Sequence, residues 1–257
     1  MLPAHRGAVV ELTDLSSIPD LSNLVVVLVR PRNPLNIGAA ARAMSNFGAC
    51  NLRLVNPYAV AFREARSAVG AAQLLADATE FKTVADAVSD CSLVVGTTAV
   101  RNRVLHQPLH RSDGDAGKLI RSRLDSSRVA LLFGSEKIGL TNHDFSHCHW
   151  LLQIPTRESH ISMNLAQAVA VCLYELARSE SPMAKTQTAE PATAGQVEKI
   201  SEGLLEALNR SGYVKPGNDA VSEKKVRRLV LRFNLDAGDA KVLLGMVRQI
   251  VWKLRQS

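Results

Sequence analysis

Three short segments combine glycine with polar side chains that could hold a ligand or an RNA phosphate. The first, Asn-Ile-Gly-Ala-Ala-Ala-Arg, runs from Asn36 to Arg42, where an apolar run gives way to a helical pattern. Gly38 lets another backbone or a ligand approach closely, and Arg42 follows one helical turn later on the same face. A guanidinium is well shaped to hold a phosphate through two hydrogen bonds. A phosphate contact and a tight turn followed by a solvated arginine explain this segment equally well.

The second segment, 134–140, reads Gly-Ser-Glu-Lys-Ile-Gly-Leu and follows an apolar run that ends at Phe133. Its glycine spacing imitates a P-loop, but Leu140 stands where the P-loop lysine should be. The chain also has no G-x-G-x-x-G sequence, which argues against a Rossmann dinucleotide site. The glycines around Glu136 indicate either a sharply bent loop whose backbone faces a ligand or a plain strand-to-helix turn.

The third segment, 161–166, reads Ile-Ser-Met-Asn-Leu-Ala and opens a long helical pattern. Ser162 is a natural N-cap, which is a strong structural explanation for this segment. Asn164, in the predicted first turn, is a poor helix former, which favours a polar role.

Alternating strands and helices are predicted to position these segments. Apolar runs predict buried strands, and Ala-rich or amphipathic stretches predict the helices between them. This alternation predicts an α/β domain with a parallel sheet flanked by helices. The predicted strands are 24–29, 52–55, 93–97, 129–133 and 151–154, and the predicted helices are 37–47, 70–76, 84–89 and 163–178, with Gly48 as a C-cap.

The domain boundaries follow from composition. Residues 1–22 form a predicted N-terminal arm and residues 23–178 the α/β domain. Residues 179–194 are polar, contain two prolines and are predicted to be a linker. Residues 195–257 are predicted to form a small all-α unit.

The net charge of +7 is unevenly distributed, because residues 195–257 carry twelve Lys and Arg against seven Asp and Glu. One predicted helix, 223–233, has an apolar face and a basic face with Glu223 as its lone acid. A solvated charged surface is the simpler explanation for one isolated helix, but this surplus favours an RNA phosphate-binding surface. The apolar face comprises Val226, Leu229, Val230 and Phe233, and the basic face comprises Lys224, Lys225, Arg227, Arg228 and Arg232.

The remaining composition indicates a protein of the cytoplasm. The four cysteines form no C-x-x-C pair, and no apolar run has the length of a membrane helix or a secretory signal. The spacing of His143, His147, Cys148 and His149 could hold zinc in a helix. A strand that begins near Trp150 would separate these side chains, so we expect no metal site.

Taken in this order, the three segments resemble the motifs of the SPOUT RNA methyltransferases, in the TrmH-like branch of 2′-O-ribose methylases. The motifs are N-x-G-x-x-x-R, F-G-x-E-x-x-G-L and S-x-N-L-A, and the resemblance covers about residues 24–178. The strand Val-Val-Gly-Thr-Thr at 94–98 and the extension 195–256 resemble a bacterial tRNA-methylating subfamily of this branch.

The resemblance implies a trefoil-knotted domain, S-adenosylmethionine as cofactor, and a homodimer in which each active site is completed by the second subunit. It also implies methylation of a tRNA ribose at position 32, a cytidine or uridine of the anticodon loop. The loop 156–160 departs in detail from better-known members. Two alternatives stay open, a ribosomal RNA ribose methylase and a non-catalytic knotted RNA-binding protein.

The resemblance assigns roles to individual residues. Arg42 is placed nearest the reacting hydroxyl; because a guanidinium stays protonated at neutral pH, we expect it to position the substrate rather than act as a base. The catalytic candidates are Arg42, Ser162 and Asn164. The cofactor-binding candidates are Thr97, Thr98, Ala99, Gly134, Ile154, Ile161, Ser162 and Met163. The substrate-binding candidates are Asn36, Arg42 and Glu136, together with Lys224, Lys225, Arg227, Arg228 and Arg232 of the C-terminal unit.

Overall fold

The computed structural model of the protein describes residues 20–58, 70–99, 107–178, 190–215 and 219–256. The predicted arm, except for its last three residues, and most of the predicted linker lie outside the described residues.

Seven strands form one sheet in which every pairing is parallel. The order across the sheet is β3-β2-β1-β6-β4-β7-β5. The sheet has helices on both faces, as the sequence predicts for the fold class. The strands are β1 (Leu24–Val29), β2 (Asn51–Val55), β3 (Thr79–Phe81), β4 (Leu93–Thr97), β5 (Leu109–Arg111), β6 (Val129–Phe133) and β7 (Trp150–Gln153).

The helices of this domain are mostly short. They are α1 (Pro34–Asn46), α2 (Ala72–Ala76), α3 (Val84–Ala87), α4 (Ala116–Leu124), α5 (Asn142–Phe145) and α6 (Leu165–Arg178), with a 3₁₀ turn at Glu158–His160. Helix α1 ends at Asn46 with Phe47 as its C-cap, and Gly48, predicted as the terminating glycine, follows with a φ of +73° that suits a glycine beyond the cap. The described part of the helical unit comprises α7 (Ala194–Arg210), α8 (Asp219–Arg232) and α9 (Ala237–Leu254).

The core lies on both faces of the sheet because successive side chains of a strand point to opposite faces. Strand β1 is completely buried. Its Val26 and Leu28 pack with α1 and α6 on one face. Val25 and Val27 pack on the other face with side chains from α3 and α5. The continuous apolar run that predicted this strand therefore reflects burial on two sides.

Four elements of this domain were missed by the sequence analysis, namely the strands β3 and β5 and the helices α4 and α5. Strands β3 and β5 are three-residue edge strands whose side chains are exposed or half-buried. An edge strand needs no continuous apolar run, so neither strand carries the pattern that identified the central strands.

The helical unit has its own apolar core and contacts the α/β domain through Arg227. This side chain is only 4% exposed. It donates to Glu198 at 2.6 and 2.7 Å, to Glu223 at 2.8 Å and to the Ser146 hydroxyl at 3.0 Å. The expectation that Arg227 lies on an RNA-binding surface is therefore wrong, because its guanidinium is buried between the two parts of the protein.

The prediction of an apolar face on α8 is also only half correct. Val226 and Val230 are buried in the core of the helical unit. Leu229 and Phe233 are 44% and 49% exposed. The helix is turned so that Arg227, rather than Leu229, faces inward, since the half-buried carboxylates of Glu198 on α7 and Glu223 on α8 stabilise its charge.

His147 lies beside this ion-pair cluster and gives it a pH dependence. Burial lowers the pKa of His147 to about 4, and the positive charge of Arg227 contributes in the same direction. The folded protein therefore favours the neutral imidazole more than the unfolded chain does. The contribution of neutral His147 to folding stability is complete above the pKa of the unfolded chain, near 6.5, and is lost as the pH falls towards 4.

We expect His147→Gln to flatten the acid limb of the stability profile. Wild-type protein should lose up to about 3 kcal/mol more in the free energy of unfolding between pH 7 and pH 4 than the variant does. Urea unfolding at several pH values measures this difference. His160→Gln, at an exposed histidine, is the control. Parallel profiles for wild type and His147→Gln would contradict the assignment.

No helix within the described part of the chain is both long and apolar enough to cross a membrane.

Candidate active site

The carboxyl ends of β4, β6 and β7 meet at one edge of the sheet, where ligands bind in many parallel α/β proteins. A cavity of about 270 Å³ opens there. The turn after β6 and the segment before α6 form its remaining walls. The lining residues are Thr97, Thr98, Ala99, Phe133, Gly134, Ser135, Glu136, Lys137, Ile138, Gly139, Leu140, Phe145, Leu152, Ile154, Ser162, Met163, Leu165 and Ala168.

Seven of the eight predicted cofactor-binding residues line this cavity. They are Thr97, Thr98, Ala99, Gly134, Ile154, Ser162 and Met163, whereas Ile161 is not part of the lining. Thr97 is fixed by its hydroxyl, which donates to the carbonyl oxygen of Leu132 at 2.9 Å. The sequence therefore predicts which chain segments converge here, although the roles of these residues stay predictions.

Sequence reasoning missed the apolar wall of the cavity, formed by Leu140, Phe145, Leu152 and Leu165. All four are also buried in the core. Their apolar character could signal burial, but nothing in their local pattern distinguishes a cavity wall from ordinary core.

The turn after β6 is folded tightly on itself at Gly134. The Gly139 amide donates to the Ser135 carbonyl at 2.8 Å, and Gly139 has a φ of +66°. A Cβ on Gly134 would lie 2.0 Å from the Gly139 carbonyl carbon and 2.1 Å from the Leu140 nitrogen. Such distances are impossible for any side chain, so glycine is required here for the turn to line the cavity.

The three sequence motifs meet through side-chain amides. The Asn164 amide group donates to the Asn36 side-chain oxygen at 2.8 Å. Asn36 in turn donates to the Glu136 carboxylate at 2.9 Å. These residues are 128 and 100 positions apart in the chain. One continuous polar chain therefore connects the first motif to the other two at the mouth of the cavity.

Asn164, rather than Ser162, caps helix α6. Its side-chain oxygen accepts from the Ala166 amide at 2.9 Å and the Gln167 amide at 3.4 Å. The prediction that Ser162 is the N-cap is therefore wrong, because the helix begins at Leu165 and not at 163. Ser162 is instead an exposed residue of the cavity lining.

Glu136 holds the start of the first motif in place. Its carboxylate accepts from the backbone amides of Arg32 and Asn33, both at 3.2 Å, besides the Asn36 side chain. Burial alone would raise the pKa of Glu136, but these hydrogen bonds outweigh burial, and its pKa lies below the ordinary value. A negative charge is therefore maintained at the mouth of the cavity.

Arg42 lies outside this cavity. It is exposed on α1 and is not among the lining residues. A Cβ on Gly70 would lie 2.5 Å from its Nη1 atom, so the guanidinium passes directly over that glycine. Among the described residues, no carboxylate forms an ion pair with Arg42. Arg42 therefore does not contribute to the cavity of its own chain.

The candidate cations of the helical unit also lie apart from this cavity, since Lys224, Lys225, Arg228 and Arg232 do not contribute to its lining. Lys225 and Arg232 are exposed, whereas Lys224 and Arg228 are half-buried.

The side chains that could have formed a zinc site have other partners. His149 accepts the Val94 amide at Nδ1 at 3.1 Å, and the Cys148 thiol lies 3.6 Å from the Asp144 carbonyl. His147 faces Glu198. Over the residues that the structure describes, no cluster of three potential metal ligands is present.

Comparison with known proteins identifies the family and the relatives that this chain resembles. Residues 23–174 match the SpoU rRNA Methylase family. The tRNA (cytidine/uridine-2′-O-)-methyltransferase TrmJ of Yersinia pestis (strain Pestoides F) is 32% identical over 238 residues, covering 90% of this chain and 92% of that protein. TrmJ of Sodalis glossinidius (strain morsitans) is 34% identical over 236 residues, with the same coverage. The crystal structure of TrmJ from Z. mobilis ZM4 is similar with a TM-score of 0.77 and 31% identity, covering 88% of this chain and 98% of that one.

Proposed function

The chain belongs to the SpoU methylase family, as its three motifs predict, and we propose that it methylates a ribose 2′-hydroxyl of tRNA using S-adenosylmethionine. The observation that carries this proposal is the convergence of the motifs. Asn36, Glu136 and Asn164 are joined by hydrogen bonds at the mouth of one cavity. A chain that had kept the fold and lost the reaction would have no need for this arrangement.

The cavity fits S-adenosylmethionine in shape and charge. Its apolar wall, which includes Leu140, Phe145 and Leu152, suits an adenine ring, and the backbone of the Gly134 turn offers polar atoms. Glu136 is the one carboxylate among the described lining residues and suits a positively charged sulfonium. When bound, the cofactor supplies a methyl group that is already activated, so the reaction needs no metal.

The residues of the chain then serve to position the ribose. A sugar hydroxyl is a weak nucleophile, and in-line placement beside the methyl donor accounts for much of the achievable rate. Ser162 and Asn164 lie at the cavity and its mouth, where they orient the substrate. Arg42 holds an adjacent phosphate and stabilises charge, and the phosphate is the better acceptor for the hydroxyl proton.

The exposed position of Arg42 supports a homodimer in which Arg42 of one subunit completes the cavity of the other. Helices α1 and α6 pack together, and each leaves a large apolar side chain in solvent. Leu35 is 78% and Tyr174 54% exposed. A two-fold interface over these helices would cover both side chains and bring α1 next to the partner's active site.

The tRNA substrate is supported by the similar proteins and by the basic helical unit. The TrmJ relatives are named as tRNA (cytidine/uridine-2′-O-)-methyltransferases and match nearly the whole chain. We propose ribose 32 of the anticodon loop as the target, and a cytoplasmic location, in keeping with free cysteines at Cys50, Cys91, Cys148 and Cys172.

Transfer of radiolabelled methyl groups to tRNA and ribosomal RNA tests the function. We expect label in tRNA alone and loss of one 2′-O-methyl group, at position 32, in tRNA from a deletion strain. Label in ribosomal RNA alone would favour a ribosomal RNA ribose methylase. Binding of tRNA without any transfer would favour a non-catalytic RNA-binding protein.

A further inference from the structure

A second and larger cleft, of about 950 Å³, lies between the α/β domain and the helical unit. Its walls come from both parts of the protein. Arg123, in the last turn of α4, and Trp150, the first residue of β7, line it from the α/β domain. Helix α8 contributes Lys225, Arg228 and Arg232. We call these five residues the interdomain cleft.

The charges of the interdomain cleft are all of one sign. Four cations line it, and its described lining includes no carboxylate. Within the described residues, none of these four cations takes part in an ion pair, whereas the adjacent Arg227 is paired with two carboxylates. Like charges held together raise the energy of the free protein. An anionic ligand that spans the cleft would relieve this repulsion.

The shape of the cleft indicates which anion it takes. Trp150 is half-buried in its wall and packs against the His110 ring, with the ring centroids 5.0 Å apart. An indole with one supported side is a good stacking platform for a nucleobase. A rigid RNA duplex, with its bases paired inside, could not reach a half-buried ring, whereas an unpaired nucleotide could.

We propose that the interdomain cleft binds an unpaired stretch of tRNA, with phosphates on Arg123, Arg228 and Arg232 and one base stacked on Trp150. This inference rests on the proposed tRNA substrate. It adds the α/β domain to the RNA-binding surface, since Arg123 and Trp150 carry no sequence signal for that role. It also explains why α8 uses adjacent arginines differently, with Arg227 as a structural contact and Arg228 as a ligand contact.

Filter binding of full-length variants to unmodified tRNA tests the charged part of the cleft. Arg123→Gln combined with Arg228→Gln should weaken binding about 10-fold or more at physiological salt. The slope of log affinity against log salt should fall by roughly 0.7 for each phosphate contact that is lost. Arg210→Gln combined with Arg255→Gln also removes two positive charges, but at arginines of the helical unit that are paired with Glu206. This control should change affinity by less than about 2-fold.

Trp150 is tested with a short unpaired RNA and a hairpin duplex of equal charge. Trp150→Leu should weaken binding of the unpaired RNA about 10-fold, and Trp150→Phe should retain most of the affinity, because a phenyl ring still stacks. The hairpin should be little affected by either change. Cleft variants that bind tRNA as the control does, or an equal loss for hairpin and unpaired RNA, would overturn the inference.

Methyl transfer by the wild type is read in parallel and separates the two proposals. If the wild type methylates tRNA but the cleft variants bind tRNA with unchanged affinity, only the proposed role of the interdomain cleft is overturned. If the wild type transfers no methyl group to tRNA, the proposed function itself is contradicted.

Discussion

Arg42→Ala is expected to reduce methyl transfer to tRNA at least about 100-fold while S-adenosylmethionine still binds with near wild-type affinity. The reason is the position of Arg42, which lies outside the cavity that the rest of the site surrounds. Loss of its guanidinium should therefore leave the cofactor site intact and remove the contact that positions the RNA phosphate. Single-turnover transfer and titration calorimetry with the cofactor measure the two effects separately.

Arg42→Lys distinguishes a simple charge from a shaped contact. A lysine keeps the positive charge but cannot donate two parallel hydrogen bonds to a phosphate, so we expect only partial recovery of the rate. A near wild-type rate of methyl transfer in Arg42→Ala would show that Arg42 has no role in the reaction. A parallel loss of cofactor affinity would mean that this side chain has a structural role instead.

Gly134→Ala is expected to abolish cofactor binding. The added Cβ would overlap the peptide group between Gly139 and Leu140, with contacts as short as 2.0 Å to backbone atoms. Backbone atoms cannot move aside as a flexible side chain can, so the turn that lines the cavity must open. We expect no measurable heat of cofactor binding, with a loss of folding stability of a few kcal/mol because of the backbone strain.

A glycine in open surroundings provides the matched control. Gly245 lies in α9 and has no atom within 4 Å of the position that its Cβ would take. Gly245→Ala should leave cofactor binding unchanged and stabilise the protein by about 0.5–1 kcal/mol, as for other helical glycines. Normal cofactor affinity in Gly134→Ala would show that the turn after β6 is not part of the cofactor site.

The two variants together test whether the active sites are shared between subunits. In a mixed dimer, the Arg42→Ala subunit provides an intact cavity and the Gly134→Ala subunit provides an intact Arg42. Co-expression should therefore restore about a quarter of the wild-type activity, since half of the dimers are mixed and each has one complete site. No recovery, with both subunits folded, would place each Arg42 at the cavity of its own chain.

The central elements of the fold could be predicted from the sequence because their causes are local. A strand buried on both faces must be apolar where it is buried, and β1, β6 and the first four residues of β4 show this pattern, with the predicted bounds for all three strands. The glycines that bend the turn after β6 can be recognised in the same way, since backbone conformation limits which residue fits. The edge strands β3 and β5 lack such a constraint and therefore escaped prediction.

The sequence by itself determined the family, the sheet and the three motifs that build the site. Only the tertiary structure decided that Asn164 caps α6 and meets Asn36, that Arg227 is buried while Arg228 lines a cleft, and that Arg42 lies away from its own cavity. Sequence periodicity tells which face of a helix is apolar, but not which arginine meets a carboxylate contributed by another helix. Such partners are fixed by packing between segments far apart in the chain.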